Sequence, residues 1–198
     1  KQIAATGYQR LSTYYMLSTT GDVYSFGYGG SGERGDTTTS TAIQTLSGSS
    51  PYVPLILSSV DKIYGAPGQG YAIDTNGKLY AWGSNNFGQL GTSDSITRNS
   101  PIGTSVFDGT TRKAIDVYFN NGSTNRTTIV TSTDASNTDH KTHYCGNDFA
   151  GTGKKQAFTE ITGLAGKVVT HVACIGGNGS SNTISALFLT SNNELYVI

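Results

Sequence analysis

Three side chains that can bind a metal ion occur close together, at His140, His143 and Cys145. If this segment is a strand, His143 and Cys145 share one face of it, and His140 can reach them from the preceding turn. A structural zinc site usually takes four ligands, and the only other histidine and cysteine are His171 and Cys174. A complete site therefore needs two separate segments to meet, and we predict that the chain binds no metal.

A second chemical pattern is Gly-x-Gly-x-x-Gly, which runs from Gly27 to Gly32 after an apolar segment. A dinucleotide site of this type needs a helix directly after the glycines and an acidic residue about 20 positions later. Here a loop rich in threonine and serine follows, so we predict no cofactor. The carboxylates are scattered, and neither a catalytic pair nor a Ser-His-Asp arrangement can be drawn. The sequence therefore predicts that the protein is not an enzyme.

The charge of the chain indicates which partners it lacks. Its 198 residues carry 13 basic and 13 acidic side chains, which gives a formal net charge of zero and a pI near 7.0. Binding to nucleic acid or to an anionic membrane usually requires a basic surface, so we predict neither partner. No apolar run approaches the roughly 20 residues that cross a bilayer. The chain begins at Lys1 rather than methionine, so we expect processing or a fragment.

The elements that must position these residues are defined best by the segment from Tyr71 to Gly91. It holds two apolar segments on either side of Asn76-Gly77, which is the strongest short signal for a β-hairpin. A type I′ turn requires positive φ at both central residues, and we predict that turn here. The return strand ends at Trp82 and is followed by three glycines, which are Gly83, Gly88 and Gly91.

This hairpin recurs three more times in less regular form. The first copy lies 56 positions earlier in the chain, and its glycines keep the same offsets. In the third copy a long polar insertion from Ser132 to Lys141 replaces the turn. The position at the end of the return strand is occupied in the four units, in order, by Phe26, Trp82, Cys145 and Ile198.

The first strand of each unit gives the period of the repeat. Its equivalent positions are Ile3, Ile63, Val117 and Val172, which are spaced 60, 54 and 55 residues apart. A period of about 50 residues, with about four short strands in each unit, indicates a β-propeller. We therefore predict an all-β fold of four-stranded antiparallel blades. The repeats of this one partial propeller cover approximately 1–57, 58–111, 112–165 and 166–198, and the last is truncated.

The hairpin and its glycines resemble the repeat of the regulator of chromosome condensation family. The family pattern is a strand, Asp/Asn-Gly, then apolar-Tyr-x-Trp-Gly-x-Asn-x-x-Gly-Gln-Leu-Gly, and residues 71–91 match it almost position by position. Residues 14–35 match it with Phe26 for the tryptophan and Glu33-Arg34 for Gln-Leu. The resemblance implies a seven-bladed propeller, of which this chain holds about half. It also implies a packing role for the repeat residues, which are Gly21, Phe26, Gly27, Gly77, Trp82, Gly83, Gly88, Gly91 and Gly146.

Half of a ring leaves two blade faces without a neighbour, and uncovered faces and edges favour aggregation. We therefore expect the sequence to be part of a longer chain, whose remaining blades cover these faces. A second copy of the chain is the other way to complete the ring.

The resemblance implies no single function. Members of the family include a nucleotide exchange factor for a small GTPase, ubiquitin-ligase modules, secreted inhibitors and phage surface proteins. Low charge and abundant Gly, Ser, Thr and Asn are typical of secreted and virion surface proteins. We therefore predict a non-enzymatic interaction or structural module of a virion, such as a phage tail, fibre or capsid-surface protein, or of an extracellular assembly. The alternative is a cytoplasmic or nuclear regulator, such as a small-GTPase exchange factor or a ubiquitin-pathway module.

Binding specificity on a rigid scaffold usually lies in its loops. Two stretches of this chain do not repeat, namely the loop from Thr37 to Thr41 and the insertion from Ser132 to Lys141. We predict that these stretches bind a partner, which is a protein or a surface glycan.

Overall fold

The structure is a computed structural model that describes residues 1–8, 11–39, 54–120, 126–149, 153–176 and 184–198. Thr41 therefore lies outside the described residues. The described segments form strands and one short 3-10 helix, Thr162–Leu164. None of their helices is long and apolar enough to cross a membrane.

The strands form four sheets, which follow one another along the chain as blades 1 to 4. Blade 1 contains β1 (Gln2–Tyr8), β2 (Leu11–Leu17), β3 (Val23–Gly27) and β4 (Leu55–Leu57). Blade 2 contains β5 (Val60–Ala66), β6 (Gln69–Asp74), β7 (Lys78–Gly83) and β8 (Arg98–Asp108). Blade 3 contains β9 (Arg112–Phe119), β10 (Thr127–Asp134), β11 (Lys141–Asn147) and β12 (Lys154–Glu160). Blade 4 contains β13 (Val169–Gly176), β14 (Ile184–Thr190) and β15 (Leu195–Val197).

Within each blade, every strand pairs in antiparallel fashion with the strand that precedes it in the chain. The same order holds in blades 3 and 4. Short antiparallel strands in this order need only short hairpin connections, which the Gly, Ser and Asn content supplies. The predicted all-β fold of four-stranded antiparallel blades is confirmed.

The blades are joined along their first strands. The side-chain amide of Gln2 on β1 makes two hydrogen bonds with the backbone of β5, of 2.6 and 3.0 Å. The hydroxyl of Tyr64 on β5 donates to Asp116 of β9 at 2.5 Å. The hydroxyl of Tyr118 on β9 donates in turn to the backbone oxygen of Thr170 on β13 at 3.2 Å. The contact between neighbouring blades is thus repeated together with the blades.

Apolar side chains fill the interfaces between blades. Because successive residues of a strand point to opposite faces, Tyr71, Leu79 and Ala81 of blade 2 face blade 3. Ala72 and Trp82 of the same blade face blade 1. All five side chains are fully buried. Each inner blade therefore has two apolar faces and depends on both of its neighbours.

The two outermost faces have no neighbour among the described residues. Tyr14 and Met16, on the outer face of blade 1, are 41% and 43% exposed. Leu195 and Val197, on the outer face of blade 4, are 65% and 74% exposed. In the inner blades the same strand positions are covered by a neighbouring blade. The two outer faces are therefore apolar like a blade interface, but no described blade covers them.

The predicted type I′ turn at Asn76-Gly77 was wrong, because only Gly77 has positive φ, at +87°. The N–H of Gly77 donates to the carbonyl of Asp74 at 3.0 Å, as in a type I turn followed by a left-handed residue. The carboxylate of Asp74 accepts from the N–H groups of Asn76 and Lys78 at 2.8 and 2.9 Å and stabilises this turn. The four hairpins share this left-handed position, which holds Gly21, Gly77, Asn137 and Asn193.

The predicted loop from Ser132 to Lys141 was wrong at both ends. Strand β10 continues to Asp134 and β11 begins at Lys141, so the insertion lengthens the hairpin and leaves 135–140 as its turn. Ser132 is buried, and its hydroxyl donates to the carbonyl of Lys141 at 3.1 Å. The threonines around Ser132 favour a strand. The carboxylate of Asp134 then closes the turn by accepting from the N–H groups of Thr138 and Asp139 at 2.7 and 3.0 Å.

A glycine near the end of each third strand directs the chain out of blades 1 to 3. Gly27, Gly83 and Gly146 have φ of +107°, +98° and +95°. A Cβ at these positions would lie 2.3, 2.3 and 2.1 Å from a backbone oxygen of the adjacent segment. Only glycine meets both constraints. These residues therefore determine where the loops after the third strands begin.

We expect Gly83→Ala to destabilise the protein by about 2–4 kcal/mol, since it adds both backbone strain and a backbone clash. Urea denaturation of the purified chain measures the loss. The matched control is Gly163→Ala, because a Cβ at Gly163 would have no atom within 4 Å. That variant should stay within about 0.5 kcal/mol of the wild type. Equal effects of the two substitutions would contradict the assignment.

Candidate functional site

A polar pocket of about 280 Å³ opens at the end of the blades where the third strands end. Its walls come from three blades. Thr6 and Thr13 belong to blade 1, Ser84 follows the third strand of blade 2, and Arg126 precedes β10 of blade 3. Glu33, in the segment after β3, also lines the pocket. The site is therefore a product of the blade packing and is not contained in one repeat.

Two equivalent segments border the pocket, loop 1 (28–35) after β3 and loop 2 (84–91) after β7. In loop 2 the N–H of Gly88 donates to the carbonyl of Asn85 at 2.9 Å, and that of Gly91 to Gly88 at 3.0 Å. Loop 1 repeats both hydrogen bonds, each at 3.0 Å, 56 positions earlier. Each loop lies against the fourth strand of the next blade, where a Cβ on Gly32 or Gly88 would approach backbone atoms to 2.6 or 2.8 Å. The loops share one backbone arrangement and differ in their side chains.

The carbonyl oxygen of Glu33 anchors loop 1 to two blades. It accepts a hydrogen bond from the hydroxyl of Tyr15 in blade 1 and another from Nε1 of Trp82 in blade 2, the latter at 2.9 Å. The two rings pack edge to face, with centroids 5.4 Å apart. Burial raises the pKa of Tyr15, so its hydroxyl keeps the proton that it donates. Trp82 thus positions a pocket residue of the preceding blade.

The same anchor holds loop 2 between blades 2 and 3. The carbonyl of Gln89 accepts from the hydroxyl of Tyr71 at 2.9 Å and from Sγ of Cys145 at 3.1 Å. Cys145 therefore lies where Trp82 lies one blade earlier. Burial raises the pKa of Cys145, so the thiol stays protonated and serves as a donor rather than as a nucleophile.

A paired exchange makes the two anchors compatible with different side chains. Gly70 is the cross-strand partner of Trp82, and a Cβ there would lie 2.3 Å from the indole ring. In blade 3 the corresponding pair is Thr128 and Cys145. Because cysteine is small, there is room for Thr128, whose hydroxyl lies 2.8 Å from that of Tyr71. The pair of Trp82 and Gly70 and the pair of Cys145 and Thr128 therefore fill the same space.

A second paired exchange distinguishes loop 1 from loop 2. In loop 2 the side-chain amide of Asn85 donates to residues that follow the loop, at 3.0 and 3.1 Å. Loop 1 has Gly29 at that position, and a Cβ there would lie 2.9 Å from Nε of Arg34. Arg34 stands in place of Leu90, and its side chain pairs with Asp36 beyond the loop at 2.8 Å. The Arg34 side chain is only 2% exposed, and its ion pair with Asp36 stabilises the loop.

Glu33 places a charge where the equivalent loop uses an amide. In loop 2 the side-chain oxygen of Gln89 accepts from the N–H of Phe87 at 2.9 Å. In loop 1 the carboxylate of Glu33 accepts from the N–H of Ser31 at 2.6 Å. Glu33 is only 6% exposed. Burial raises the pKa of its carboxyl group, and the backbone hydrogen bonds and two nearby guanidinium groups oppose this only in part.

The three residues considered for metal binding are not brought together. Cys145 lies in the core between blades 2 and 3, and His143 packs edge-on against Phe107 in the same core, with ring centroids 5.2 Å apart. Burial, followed by the charge of Arg112, lowers the pKa of His143 to about 4. His140 lies in a crevice between blades 3 and 4. Among the described residues no group of three His, Cys, Asp or Glu side chains could hold a metal ion.

The stretches predicted to bind a partner lie at opposite ends of the blades. Thr37 follows loop 1 at the pocket end, is exposed, and donates its N–H to the carbonyl of Asn99 in blade 2 at 2.7 Å. Lys141 lies at the hairpin end, where it pairs with Glu160 at 3.0 Å and with Asp139 at 3.7 Å. Thr37 and Lys141 therefore lie on different surfaces, and a binding role for either stretch stays a prediction.

Sequence reasoning missed Glu33, Thr13 and Arg126 as residues of one pocket. The only available signal was Glu33, which stands where loop 2 has a glutamine. Thr13 looks like an ordinary strand residue, and Arg126 belongs to no motif. They meet only because three blades pack side by side.

The family comparison agrees with the repeat seen in the structure. Residues 76–119 match the family model of the Regulator of chromosome condensation (RCC1) repeat. The matched segment begins in the hairpin turn of blade 2 and ends at the last residue of the first strand of blade 3. It therefore contains loop 2, and the sequence repeat is offset from the blade. The predicted resemblance is confirmed for this part of the chain.

Solved structures share the fold. Human WBSCR16 has a TM-score of 0.66 at 16% identity, over 93% of this chain and 44% of its own. Prp20p from Saccharomyces cerevisiae, described with its binding properties to Gsp1p and histones, has a TM-score of 0.66 at 17% identity, over 99% and 44%. Yeast RCC1 (Prp20) with Kap60 bound gives 0.62 at 17%, over 93% and 41%.

The length of these matches bears on the ring. The chain spans less than half the length of each of these three structures, which agrees with the predicted half of a propeller. No curated protein matches the chain significantly by sequence. At this level of identity the structural likeness establishes the fold alone.

We expect Glu33→Gln to stabilise the protein at neutral pH. Because burial raises the pKa of Glu33 in the folded state, the wild type is at its most stable below the pKa of the unfolded side chain. It should lose stability relative to the variant as the pH rises through the raised pKa, and denaturation from about pH 4 to about pH 8 measures this. Glu194→Gln is the control, because hydrogen bonding to Lys167 lowers the pKa of Glu194 and reverses the trend.

The exchange between Gly70–Trp82 and Thr128–Cys145 predicts strong coupling. Trp82→Cys alone should cost about 3–5 kcal/mol through the cavity, and Gly70→Thr alone about 1–3 kcal/mol through the clash. The double variant should cost less than the sum by at least about 1 kcal/mol, because Thr at position 70 fills the space and reaches Tyr15. A double-mutant cycle by urea denaturation measures this, and additive effects would show that the two positions are independent.

Proposed function

We propose that this chain is a non-enzymatic protein-interaction module that acts inside the cell. It contains an RCC1 repeat and folds as about half of an RCC1-type propeller. The observation that carries this proposal is the pocket between loops 1 and 2. Neighbouring blades present one backbone arrangement there but different side chains. Varied side chains on a rigid rim are typical of binding surfaces.

The comparisons support an intracellular site over the virion or extracellular site expected from composition. Yeast Prp20p is described with Gsp1p and histones, and a second yeast structure contains Kap60. Histones are intracellular proteins, and every partner named for these similar structures is a protein. The proposed partner of this chain is accordingly a protein, and neither a surface glycan nor a virion assembly has comparable support.

A narrower candidate is regulation of a small GTPase. Its support is the fold shared with Prp20p, whose binding to Gsp1p is described. A ubiquitin-pathway module is the other intracellular candidate and rests on the fold class alone. Release of a fluorescent guanine nucleotide from purified GTPases of the source cell tests the first candidate. Acceleration at substoichiometric protein supports it, and unchanged release on every GTPase tested contradicts it.

We expect substitutions at the pocket end of the blades to weaken partner capture. Asn86 is exposed, lines the pocket and lies after β7, so Asn86→Arg should obstruct the mouth. Thr75, exposed in the β6–β7 turn at the opposite end of the same blade, gives the control Thr75→Arg. Quantitative mass spectrometry of proteins captured from cells by each tagged full-length variant measures the difference.

The expected result is loss of one or more protein partners with Asn86→Arg and retention with Thr75→Arg. Equal recovery with both variants would contradict a binding surface at the pocket end. Recovery of the protein in stoichiometric amounts in purified virus particles would overturn the intracellular assignment.

A further inference from the structure

We propose that the pocket receives a basic side chain, a lysine or an arginine, from the partner protein, and that Glu33 is the residue that recognises it. The inference rests on the proposed function, because it names the group that a protein partner would insert. It is based on the hydrogen bond and the burial of the Glu33 carboxylate and on the residues that line the pocket around it.

The hydrogen bond that closes loop 1 does not require the charge of Glu33. The equivalent loop closes the same hydrogen bond with the uncharged amide of Gln89, to a backbone N–H at 2.9 Å. Burying an ionised carboxylate costs free energy, whereas burying an amide with a satisfied oxygen costs less. The carboxylate therefore carries a charge that this hydrogen bond does not require. Arg34 and Arg126 act on that charge without forming a salt bridge to it among the described residues, and a basic ligand would be a direct partner.

The carboxylate of Glu33 has capacity left for a cation. Its oxygen accepts from the N–H of Ser31, and no salt bridge to Glu33 occurs among the described residues. The adjacent Arg34 is committed elsewhere, to Asp36 at 2.8 Å and to the carbonyl of Gly27 at 3.2 Å. An ionised carboxylate accepts several hydrogen bonds, and Glu33 lines the pocket, so it has acceptor capacity for a ligand bound there.

Arg126 lies on the wall supplied by blade 3, where a Cβ on Gly68 would approach its Nη1 to 3.4 Å. Its charge also acts on Glu33, yet burial still keeps the pKa of Glu33 raised. An approaching ammonium or guanidinium group would offset that burial directly. The second positive charge also limits affinity, so an isolated side chain should bind weakly and gain strength from the rest of the partner's surface.

The size and lining of the pocket fit one extended side chain. Its volume of about 280 Å³ is just below the range of small-molecule sites, which is usually about 300–1,000 Å³. Ser31, Ser84 and Asn86 add hydroxyl or amide oxygens around the mouth. A lysine ammonium has three donors and an arginine guanidinium has five. These oxygens can therefore accept hydrogen bonds from the N–H groups that do not bond the Glu33 carboxylate.

The test uses the ¹⁵N-labelled chain and capped single residues as probes, Nα-acetyl-lysine methylamide and Nα-acetyl-arginine methylamide. The reporter is the backbone N–H of Ser31, because it bonds the Glu33 carboxylate. We expect a saturable shift of this amide with at least one of the two cations and none with Nα-acetyl-norleucine methylamide. Glu33→Gln, which reproduces the group found in loop 2, should weaken binding at least about tenfold.

A second variant tests the same pocket independently of Glu33. Asn86→Arg brings a tethered guanidinium to the pocket mouth and should compete with both cationic probes. No saturable shift at Ser31 with either cation, or equal binding by wild type and Glu33→Gln, overturns the inference. If the probes fail while Asn86→Arg still abolishes partner capture, the binding surface stands and only the basic side chain is wrong.

Discussion

Each of the two joints between the first three blades, where a loop of one blade meets the next blade, depends on one backbone oxygen. That oxygen accepts hydrogen bonds from two side chains. The carbonyl of Glu33 receives Tyr15 from its own blade and Trp82 from the next, and the carbonyl of Gln89 receives Tyr71 and Cys145 in the same way. Such a buried carbonyl would be costly without partners, and here neither blade alone supplies both of them. The loops at the pocket end are therefore fixed only after neighbouring blades have packed. Their rigidity, and with it the geometry of the pocket, belongs to pairs of blades.

The joints tolerate different residues because substitutions occur in matched pairs. Trp82 faces Gly70, whereas Cys145 faces Thr128, and the same volume is filled in both cases. Close packing penalises either change made alone, through a cavity or through a clash. Irregularity in the repeat is thus compensated in space, across a strand pair or within a loop. Glu33 differs from these pairs, because Arg34 and Arg126 act on its charge but no salt bridge among the described residues includes it, and this contrast makes it the most informative position in the loop.

Much of the architecture follows from the sequence, because a hairpin repeated with fixed offsets constrains strand register strongly. The equivalence of Cys145 with Trp82 and the two faces of the blade could be derived in this way. The turn type could not, because it depends on the carboxylate of Asp74, which outweighed the preference of Asn-Gly. Ser132 was assigned to a loop because a polar, threonine-rich segment is ambiguous between strand and turn. The pocket was out of reach, because Glu33 and Arg126 are brought together only by the packing of blades far apart in sequence.

The offset between sequence repeat and blade has a consequence for how such a protein can lengthen. The matched segment runs from the hairpin turn of blade 2 to the first strand of blade 3, so it contains β7, β8, β9 and loop 2. It contains neither Tyr71 nor Cys145, whose side chains anchor that loop. Duplication of that segment alone in a gene would add three strands and a loop, without the second strand of a blade and without the two donors that fix the loop. A new blade that fits both neighbours therefore requires duplication of a full repeat, which carries four strands and both donors of the anchor.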